Sequence, residues 1–330
     1  MSKLRNKYLI KYIAMAAVLF VSAAAALFLG SAELDVKTVF SGLFFGSDDA
    51  GAVIMRAIRL PRLLAAFLAG WGLSVSGTLL QSVTGNALAS PNIVGVNSGA
   101  GFASILVLCF FPQAFGLLPF VAFIGALAAT VITLAIAKRI DGTATTLLLS
   151  GVAITALLNA GISFISLVDT DVVATYNYFS IGGVSGVPMA RLAVPAVFIA
   201  VSYSVALFLS PKIQTLVLGD SLAASLGVRV KALRSICIVC AAASAAAAVS
   251  FAGLLGFVGL IAPHMARVVV GENVTRRLIS APFIGGALVV LADMLGRILL
   301  SPTEIPVGVV MAALGAPFFI ILLLGRKGDA

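Results

Sequence analysis

One carboxylate stands out among the charged side chains of this sequence, because Asp293 lies inside a long apolar run. Arg297 follows it by four residues, so in a helix the two side chains lie one turn apart on one face and form a local ion pair. Proteins that move a solute with an ion or a proton usually keep an acid, a lysine or a histidine deep among apolar residues, where it binds and releases the ion. Most apolar runs here contain none. The pattern argues against ion-coupled chemistry and indicates that the energy for any work comes from outside this chain.

Uncharged polar side chains repeat at helical spacing in two other apolar runs. One stripe is Thr155, Asn159, Ser163 and Ser166, and the second is Ser74, Thr78 and Gln81. Such side chains either form hydrogen bonds and close contacts between packed helices, or line a neutral passage that is wide enough for a bulky solute. The sequence leaves both interpretations open, and on the second one these residues are candidates for the lining of a pathway.

The residue types needed for catalysis or metal binding are scarce. His264 is the only histidine, and it follows Pro263, where a packing or capping role is expected. Cys109, Cys237 and Cys240 lie in apolar runs, where cysteine packs as a small apolar side chain, and without a Cys/His cluster no metal site is expected. The sequence also contains no P-loop motif. We therefore predict a chain that is not an enzyme, binds no cofactor itself and does not hydrolyse ATP.

The composition places these residues in a membrane. Of the 330 residues, 61% are hydrophobic and only 10% are charged, whereas soluble chains carry about 25% charged residues. The apolar runs are continuous and, at roughly 17–25 residues, long enough to cross a bilayer as helices, and they do not alternate as the strands of a membrane barrel do. We predict an all-α integral membrane protein with about ten transmembrane helices. The expected spans lie near 12–30, 62–82, 96–111, 116–137, 145–167, 191–209, 232–252, 258–270, 278–300 and 306–324.

The connections between these spans are too short to form a soluble domain, so residues 1–330 are expected to be one transmembrane domain. The basic N-terminus followed by an apolar run is similar to a signal peptide, but its length fits an uncleaved first span better. Basic residues gather in the connections that lie on the same side as the N-terminus, as in cytoplasmic loops. We predict a multi-pass protein of the plasma (inner) membrane with both termini in the cytoplasm. The net charge of +9 is spread along the chain, so nucleic-acid binding is not expected.

Four stretches, taken in order, carry a family resemblance that covers about residues 55 to 324. They are Arg59-Leu60-Pro61-Arg62; Gln81 and Gly85-Asn86-Ala87-Leu88-Ala89-Ser90-Pro91 with Gly95; Gly256-Phe257-Val258-Gly259-Leu260-Ile261-Ala262-Pro263-His264 with Arg267; and Asp293 with Arg297, then Ile305-Pro306-Val307-Gly308 and Gly315-Ala316-Pro317. Together they resemble the permease subunits of ATP-binding-cassette (ABC) importers for ferric siderophores, haem and cobalamin. The resemblance implies the type II importer architecture.

The resemblance also implies partners. The permease is expected to pair with a second copy of itself or a close paralogue, with two cytoplasmic ATPase subunits that use ATP and Mg, and with an extracytoplasmic solute-binding protein. It implies that Arg59, Arg62 and Arg297 form docking sites for acidic side chains of the binding protein. Contact with lipid headgroups, or pairing with Asp293, is the alternative for these arginines.

Two further sets of residues follow from the resemblance. The ATPase-coupling segment lies within about 212–231, where two short helices are expected, and a plain amphipathic connector is the alternative. Its candidate residues are Gly219, Asp220, Leu222, Ala223, Leu226 and Gly227, of which the two leucines are spaced for helix-in-groove contact. The cytoplasmic gate corresponds to Asn86, Leu88, Ala144 and Thr145. Ala87 stands where the family usually has proline, which predicts a looser turn at the gate.

We therefore predict an importer permease that forms a homodimeric pathway and is driven by partner ATPases. A ferric siderophore is the expected cargo because that branch of the family is the most abundant, with haem or cobalamin as the alternatives. A secondary transporter or channel that works alone is the competing class, and the lack of a charge in the middle of most spans counts against it.

Overall fold

The protein is described by a computed structural model that covers residues 2–29 and 49–325. Within these residues the secondary structure is helical, with no strand. In chain order the helices are α1 Ser2–Phe28, α2 Ala50–Ile54, α3 Leu60–Thr84, α4 Val96–Phe110, α5 Leu118–Ile140, α6 Ala144–Val168, α7 Thr170–Ile181, α8 Ala193–Leu216, α9 Asp220–Ser225, α10 Val230–Ala252, α11 Val258–Val270, α12 Val274–Ile298 and α13 Val307–Gly325.

The prediction of an all-helical membrane protein is confirmed. In the described part of the chain, seven helical segments are long and apolar enough to cross a membrane, and three shorter apolar helices accompany them, Val96–Phe110, Val258–Val270 and Val307–Leu322. Each expected span corresponds to one of these. The first helix begins ten residues before the expected residue 12, at Ser2, and residue 30, the expected end of that span, lies outside the described residues.

The helix that carries Arg59 and Arg62 begins earlier than the sequence suggested. A π-helical turn, Met55–Arg59, joins α2 to α3 without a break, so the helical segment starts at Ala50. The two arginines therefore lie inside a continuous helix, which begins twelve residues before the expected residue 62. Pro61 has no N–H to donate, and it follows closely after this π-helical turn, where the α-helical bonding pattern is already interrupted.

One helix was missed. Residues 168–190 were expected to be a polar connection, but they contain α7, Thr170–Ile181. The Asp169 carboxylate caps its first turn by accepting hydrogen bonds from the backbone N–H groups of Asp171 and Val172, as an N-cap aspartate does. Its mixed polar composition hides it from a search for long apolar runs.

The centre of the molecule is α3, which packs against α10, α11 and α12. Glycines make this packing possible, because a Cβ on Gly70 would overlap the Gly285 carbonyl of α12 and one on Gly77 would overlap the Gly259 carbonyl of α11. Small residues let helix backbones meet in this way inside membranes. The four helices therefore form a tightly packed frame.

Two long helices lie at the periphery. Only 11% of the most apolar 18-residue stretch of α1 is buried within the subunit, and the share for α6 is also 11%. In α6 the buried positions are Leu147, Ser150 and Gly151, all in its first third. The remainder of α6 presents a broad surface to the outside of the subunit.

Candidate functional site

A buried ion cluster lies on the predicted outer side, where α3 meets α12. The Arg62 guanidinium donates from Nε and Nη2 to the Asp293 carboxylate at 2.9 to 3.1 Å, and from Nη1 to Glu304 at 2.7 Å. The side chains of Arg62 and Asp293 are only 10% and 6% exposed. A forked arginine–carboxylate contact of this kind is strong and fixes geometry, so the cluster holds α3, α12 and the segment before α13 together.

The other two candidate docking arginines hold the end of α1. Arg297 Nη2 donates to the Ala26 carbonyl at 2.9 Å, and Arg59 Nη1 donates to the carbonyls of Phe28, at 3.1 Å, and Leu27. These carbonyls belong to the last turn of α1. The carbonyl groups in the last turn of a helix have no N–H donors within that helix, and they carry a partial negative charge. Both arginines are buried, so they fasten the peripheral α1 to the frame.

The predicted local ion pair between Asp293 and Arg297 is confirmed, with 3.4 Å between Oδ2 and Nε. Pairing with Asp293 was one alternative for the docking arginines, and it describes Arg62 and Arg297. Arg59 also makes its contacts inside the subunit. Docking of a binding protein on these three arginines stays a prediction.

A cavity of about 640 Å³ opens beside the ion cluster. Arg62, Asp293 and Glu304 line one side of it, and residues of α7 and of the following loop line another. The cavity has the volume of a small-molecule site. It lies on the predicted outer side.

The expected coupling segment contains one short helix and not two. α9, Asp220–Ser225, stands between Gly219 and Gly227, whose φ angles of 108° and 80° suit glycine because a Cβ would be strained there. Ala223 is buried, whereas Leu222 and Leu226 are 55% and 64% exposed. The segment therefore shows an apolar surface that nothing within the described chain covers.

The first half of the candidate gate is the turn after α3. The Asn86 side chain accepts a hydrogen bond from the Leu88 N–H at 2.9 Å, and the Asn86 carbonyl accepts one from the Ala89 N–H at 3.1 Å. These bonds close the turn around Ala87 without a proline, and the looser turn at the gate stays a prediction. Leu88 lines a cavity of about 190 Å³ between this turn and the start of α11.

The second half of the candidate gate, Ala144 and Thr145, is the first turn of α6. The Thr143 side chain caps this turn by accepting from the Thr146 N–H. The Asp141 carboxylate accepts from the Thr143 N–H at 2.8 Å and from the Thr146 hydroxyl at 2.6 Å. These hydrogen bonds hold the pKa of Asp141 below its ordinary value. Thr145 itself is exposed.

Sequence reasoning missed Arg234, which joins the coupling segment to both halves of the gate. Its Nη2 donates to the Asp220 carboxylate at 2.7 and 3.0 Å. Its Nε donates to the Val83 carbonyl of α3 at 3.1 Å and its Nη1 to the Gly142 carbonyl at 3.2 Å. The one signal in the sequence is the position of this arginine at the start of a mainly apolar run, which predicts only a positive charge on the cytoplasmic side.

The two polar stripes have different surroundings. Ser74 and Thr78 are buried and bond to carbonyls of their own helix, while Gln81 accepts from Arg277 at 3.2 Å. These contacts favour the packing interpretation for the α3 stripe. On α6, by contrast, Asn159 and Ser163 are exposed at the surface of the subunit.

The remaining two members of the α6 stripe are partly covered. The Thr155 hydroxyl accepts a hydrogen bond from Ser98 at 3.3 Å, and Ser166 donates to the Ile162 carbonyl at 2.9 Å. The stripe as a whole therefore runs from a contact with α4 to an open surface. Its role in a pathway is an untested prediction.

Seven helices that are long and apolar enough to cross a membrane, with three shorter apolar helices packed among them, define the described chain as a multi-pass membrane protein. The chain belongs to the FecCD transport family, whose family model matches residues 17–325. It is 34% identical over 320 residues to the Fe(3+)-citrate import system permease protein YfmE of Bacillus subtilis (strain 168), with 97% of this chain and 96% of that protein covered. It is 31% identical over 323 residues to the probable heme-iron transport system permease protein IsdF of Staphylococcus aureus (strain Newman), with 97% of each covered.

A solved structure described as an inward-facing conformation of a metal-chelate type ABC transporter has the same fold. The TM-score is 0.85 at 27% identity, over 95% of this chain and 98% of that one. The permease thus has the type II ABC importer architecture, as the sequence predicted.

Proposed function

We propose that this chain and a second copy of it, or a close paralogue, form the pathway of an importer for a ferric siderophore or a related iron chelate. Two cytoplasmic ATPase subunits drive the import with ATP and Mg, and an extracytoplasmic binding protein delivers the cargo. The permease lies in the plasma (inner) membrane with both termini in the cytoplasm.

The exposed face of α6 carries this proposal. Asn159 and Ser163 lie four residues apart on this face, and both are exposed. Leu157 and Phe164, each 67% exposed, lie on other sides of the same helix. An amide and a hydroxyl that faced lipid would lose their hydrogen bonds with water at a cost in free energy. A passage between two copies keeps them hydrated, so α6 is the element best suited to line a pathway.

The exposed leucines of α9 support an ATPase contact. Leu222 and Leu226 stand one helical turn apart at the predicted cytoplasmic side, as the anchors of a helix bound in a groove do. In this proposal α9 enters a groove of the ATPase, and Ala223 fixes it to the permease from behind.

Docking of the binding protein is proposed for the surface above Arg59, Arg62 and Arg297. Glu304, whose side chain is 32% exposed, covers Arg62 from outside, and an acidic side chain of the binding protein could replace it as the partner. Charge reversal in Arg62→Glu is then expected to weaken the affinity for the binding protein. Unchanged affinity of a variant that still folds would remove this role.

The names of the relatives support an iron-containing cargo, since one is a ferric citrate permease and the other a heme-iron permease. A ferric siderophore is proposed first, with haem or cobalamin as the alternatives. A transporter that works alone is the competing class, but the acid inside the apolar runs, Asp293, is already neutralised by Arg62 and Arg297. It is poorly placed to bind and release a coupling ion.

Uptake into proteoliposomes tests the proposal. The permease is reconstituted with its candidate ATPase and binding protein. Each of four cargoes is then supplied separately: ferric citrate, a ferric hydroxamate and haem, each labelled with radioactive iron, and cobalamin, labelled with radioactive cobalt. Uptake that requires ATP and all three components is expected for one ferric chelate. Uptake of haem or cobalamin alone would replace the cargo, and flux without the ATPase would overturn the class.

A further inference from the structure

One buried side chain connects three segments that are far apart in sequence. Each nitrogen of the Arg234 guanidinium has its own partner: Nε bonds to Val83, Nη1 to Gly142 and Nη2 to Asp220. Val83 belongs to the last turn of α3, and Gly142 and Asp220 belong to the segments before α6 and at the start of α9. The contact is therefore a three-way junction and not a simple ion pair.

The two carbonyl partners lie directly beside the candidate gate. Val83 lies three residues before Asn86, and Asn86 and Leu88 belong to the turn that follows α3. Gly142 lies two residues before Ala144. Both gate segments thus bond to the guanidinium that also binds the coupling helix. No second contact of this kind between α9 and the gate occurs among the bonds of the described chain.

The geometry of arginine makes the junction stiff. The guanidinium is planar and its N–H groups point in fixed directions, so one partner cannot move alone without breaking or bending a bond. The Arg234 side chain is only 8% exposed, which keeps water from replacing the two carbonyls, whereas Asp220 is 52% exposed and can follow a partner protein. A displacement of α9 is therefore passed to the guanidinium and on to both gate segments.

We propose that Arg234 is the positioning residue that transmits movement of the coupling segment to both halves of the cytoplasmic gate. This inference rests on the proposed function, in which α9 contacts the ATPase. Arg234 lies in α10, outside both the candidate gate residues and the coupling segment, and the inference assigns to it the link between the two. Lysine cannot take over the role, because a single ammonium cannot hold three partners in fixed directions.

The test compares Arg234→Lys with Arg139→Lys in the complete complex of permease, ATPase and binding protein. Arg139 is an exposed cation in the last turn of α5, outside the coupling segment and the gate, so its substitution controls for charge and for handling. We measure co-purification of the ATPase, ATP hydrolysis, and cargo molecules imported per ATP hydrolysed. For Arg234→Lys the first two are expected to stay within twofold of the unaltered complex, while import per ATP falls about tenfold or more, as loss of charge-assisted hydrogen bonds implies.

Spin labels at Thr145→Cys in the two copies, in a background without the native cysteines, report the gate itself. The distance between the labels should change with nucleotide state in the otherwise unaltered complex and in Arg139→Lys, but not in Arg234→Lys. An unchanged ratio of import to ATP hydrolysis in Arg234→Lys, or a gate that still responds, would overturn the inference.

Two controls separate the possible failures. If the unaltered complex imports no chelate with ATP, the proposed function has failed, and the label distances still show whether Arg234 links α9 to the gate. If Arg234→Lys does not fold, Asp220→Asn carries the test, because it removes the charged bond to α9 while the guanidinium keeps its two carbonyl partners, Val83 and Gly142. Full coupling in Asp220→Asn would then refute the inference.

Discussion

The exposed leucines of α9 give a prediction whose size follows from the structure. In Leu222→Ala with Leu226→Ala, the permease loses most of the apolar surface that α9 offers to an ATPase. The two side chains are 55% and 64% exposed, which together is a little more than one whole leucine. Burying one leucine side chain stabilises a complex by about 1.5–3 kcal/mol. The double substitution should therefore weaken binding of the ATPase by about 2 kcal/mol, which raises Kd roughly 30-fold.

The matched control is Leu9→Ala with Leu324→Ala, because these leucines have the same exposed fractions, 55% and 64%, outside the coupling segment. The assay is the affinity of the purified ATPase for each permease variant in nanodiscs. The control should bind as the unaltered permease does, and both variants should melt at nearly its temperature, since none of the four side chains is buried. An affinity within threefold of the unaltered value for the Leu222 and Leu226 variant would refute the reasoning.

Three further predictions concern packing and charge. Gly77→Ala should destabilise the permease by about 1–3 kcal/mol because the new methyl group overlaps α11, whereas Gly116→Ala, with open space around it, should melt unchanged. Asp293→Asn should cost about 3–5 kcal/mol, since it leaves buried arginines uncompensated, and a loss below about 1 kcal/mol in detergent melts would contradict the ion cluster. The folded pKa of Asp141 is lowered, so its stabilisation is present at neutral pH and lost as pH falls through that pKa. The melting temperatures of the unaltered permease and Asp141→Asn should therefore differ near pH 7 and converge on acidification below about 4; a constant difference would contradict this.

The membrane spans were predictable from the sequence, because each span must form its backbone hydrogen bonds within itself and present apolar side chains over a fixed length. The same criterion explains what was missed. α7 mixes polar and apolar residues, and its start is marked only by the Asp169 cap. The π-helical turn before α3 has no signature in composition, so the span predicted from the sequence begins near residue 62, after the helix that contains Arg59 has already begun.

Partners of side chains were predictable only when they are close in sequence. The Asp293–Arg297 pair follows from a spacing of four residues. The bonds of Arg62 to Asp293 and of Arg234 to Val83 join residues 231 and 151 positions apart, and no local pattern encodes such contacts. Burial of Ser74 and exposure of Asn159 likewise depend on which helices pack together, which the polar stripes alone leave undecided.

The two ends of the permease differ in how firmly their charges are held, and this difference predicts where movement occurs. On the predicted outer side Arg62, Asp293 and Arg297 are all buried, and Asp293 pairs with both arginines, so separating them would expose uncompensated charge at a high cost. On the predicted cytoplasmic side the Asp220 partner of Arg234 is half exposed, so it can move with a partner protein while it stays bonded to the buried guanidinium. Force that enters at α9 should therefore shift the gate segments first, while the outer ends of α3 and α12 move as one body with α1.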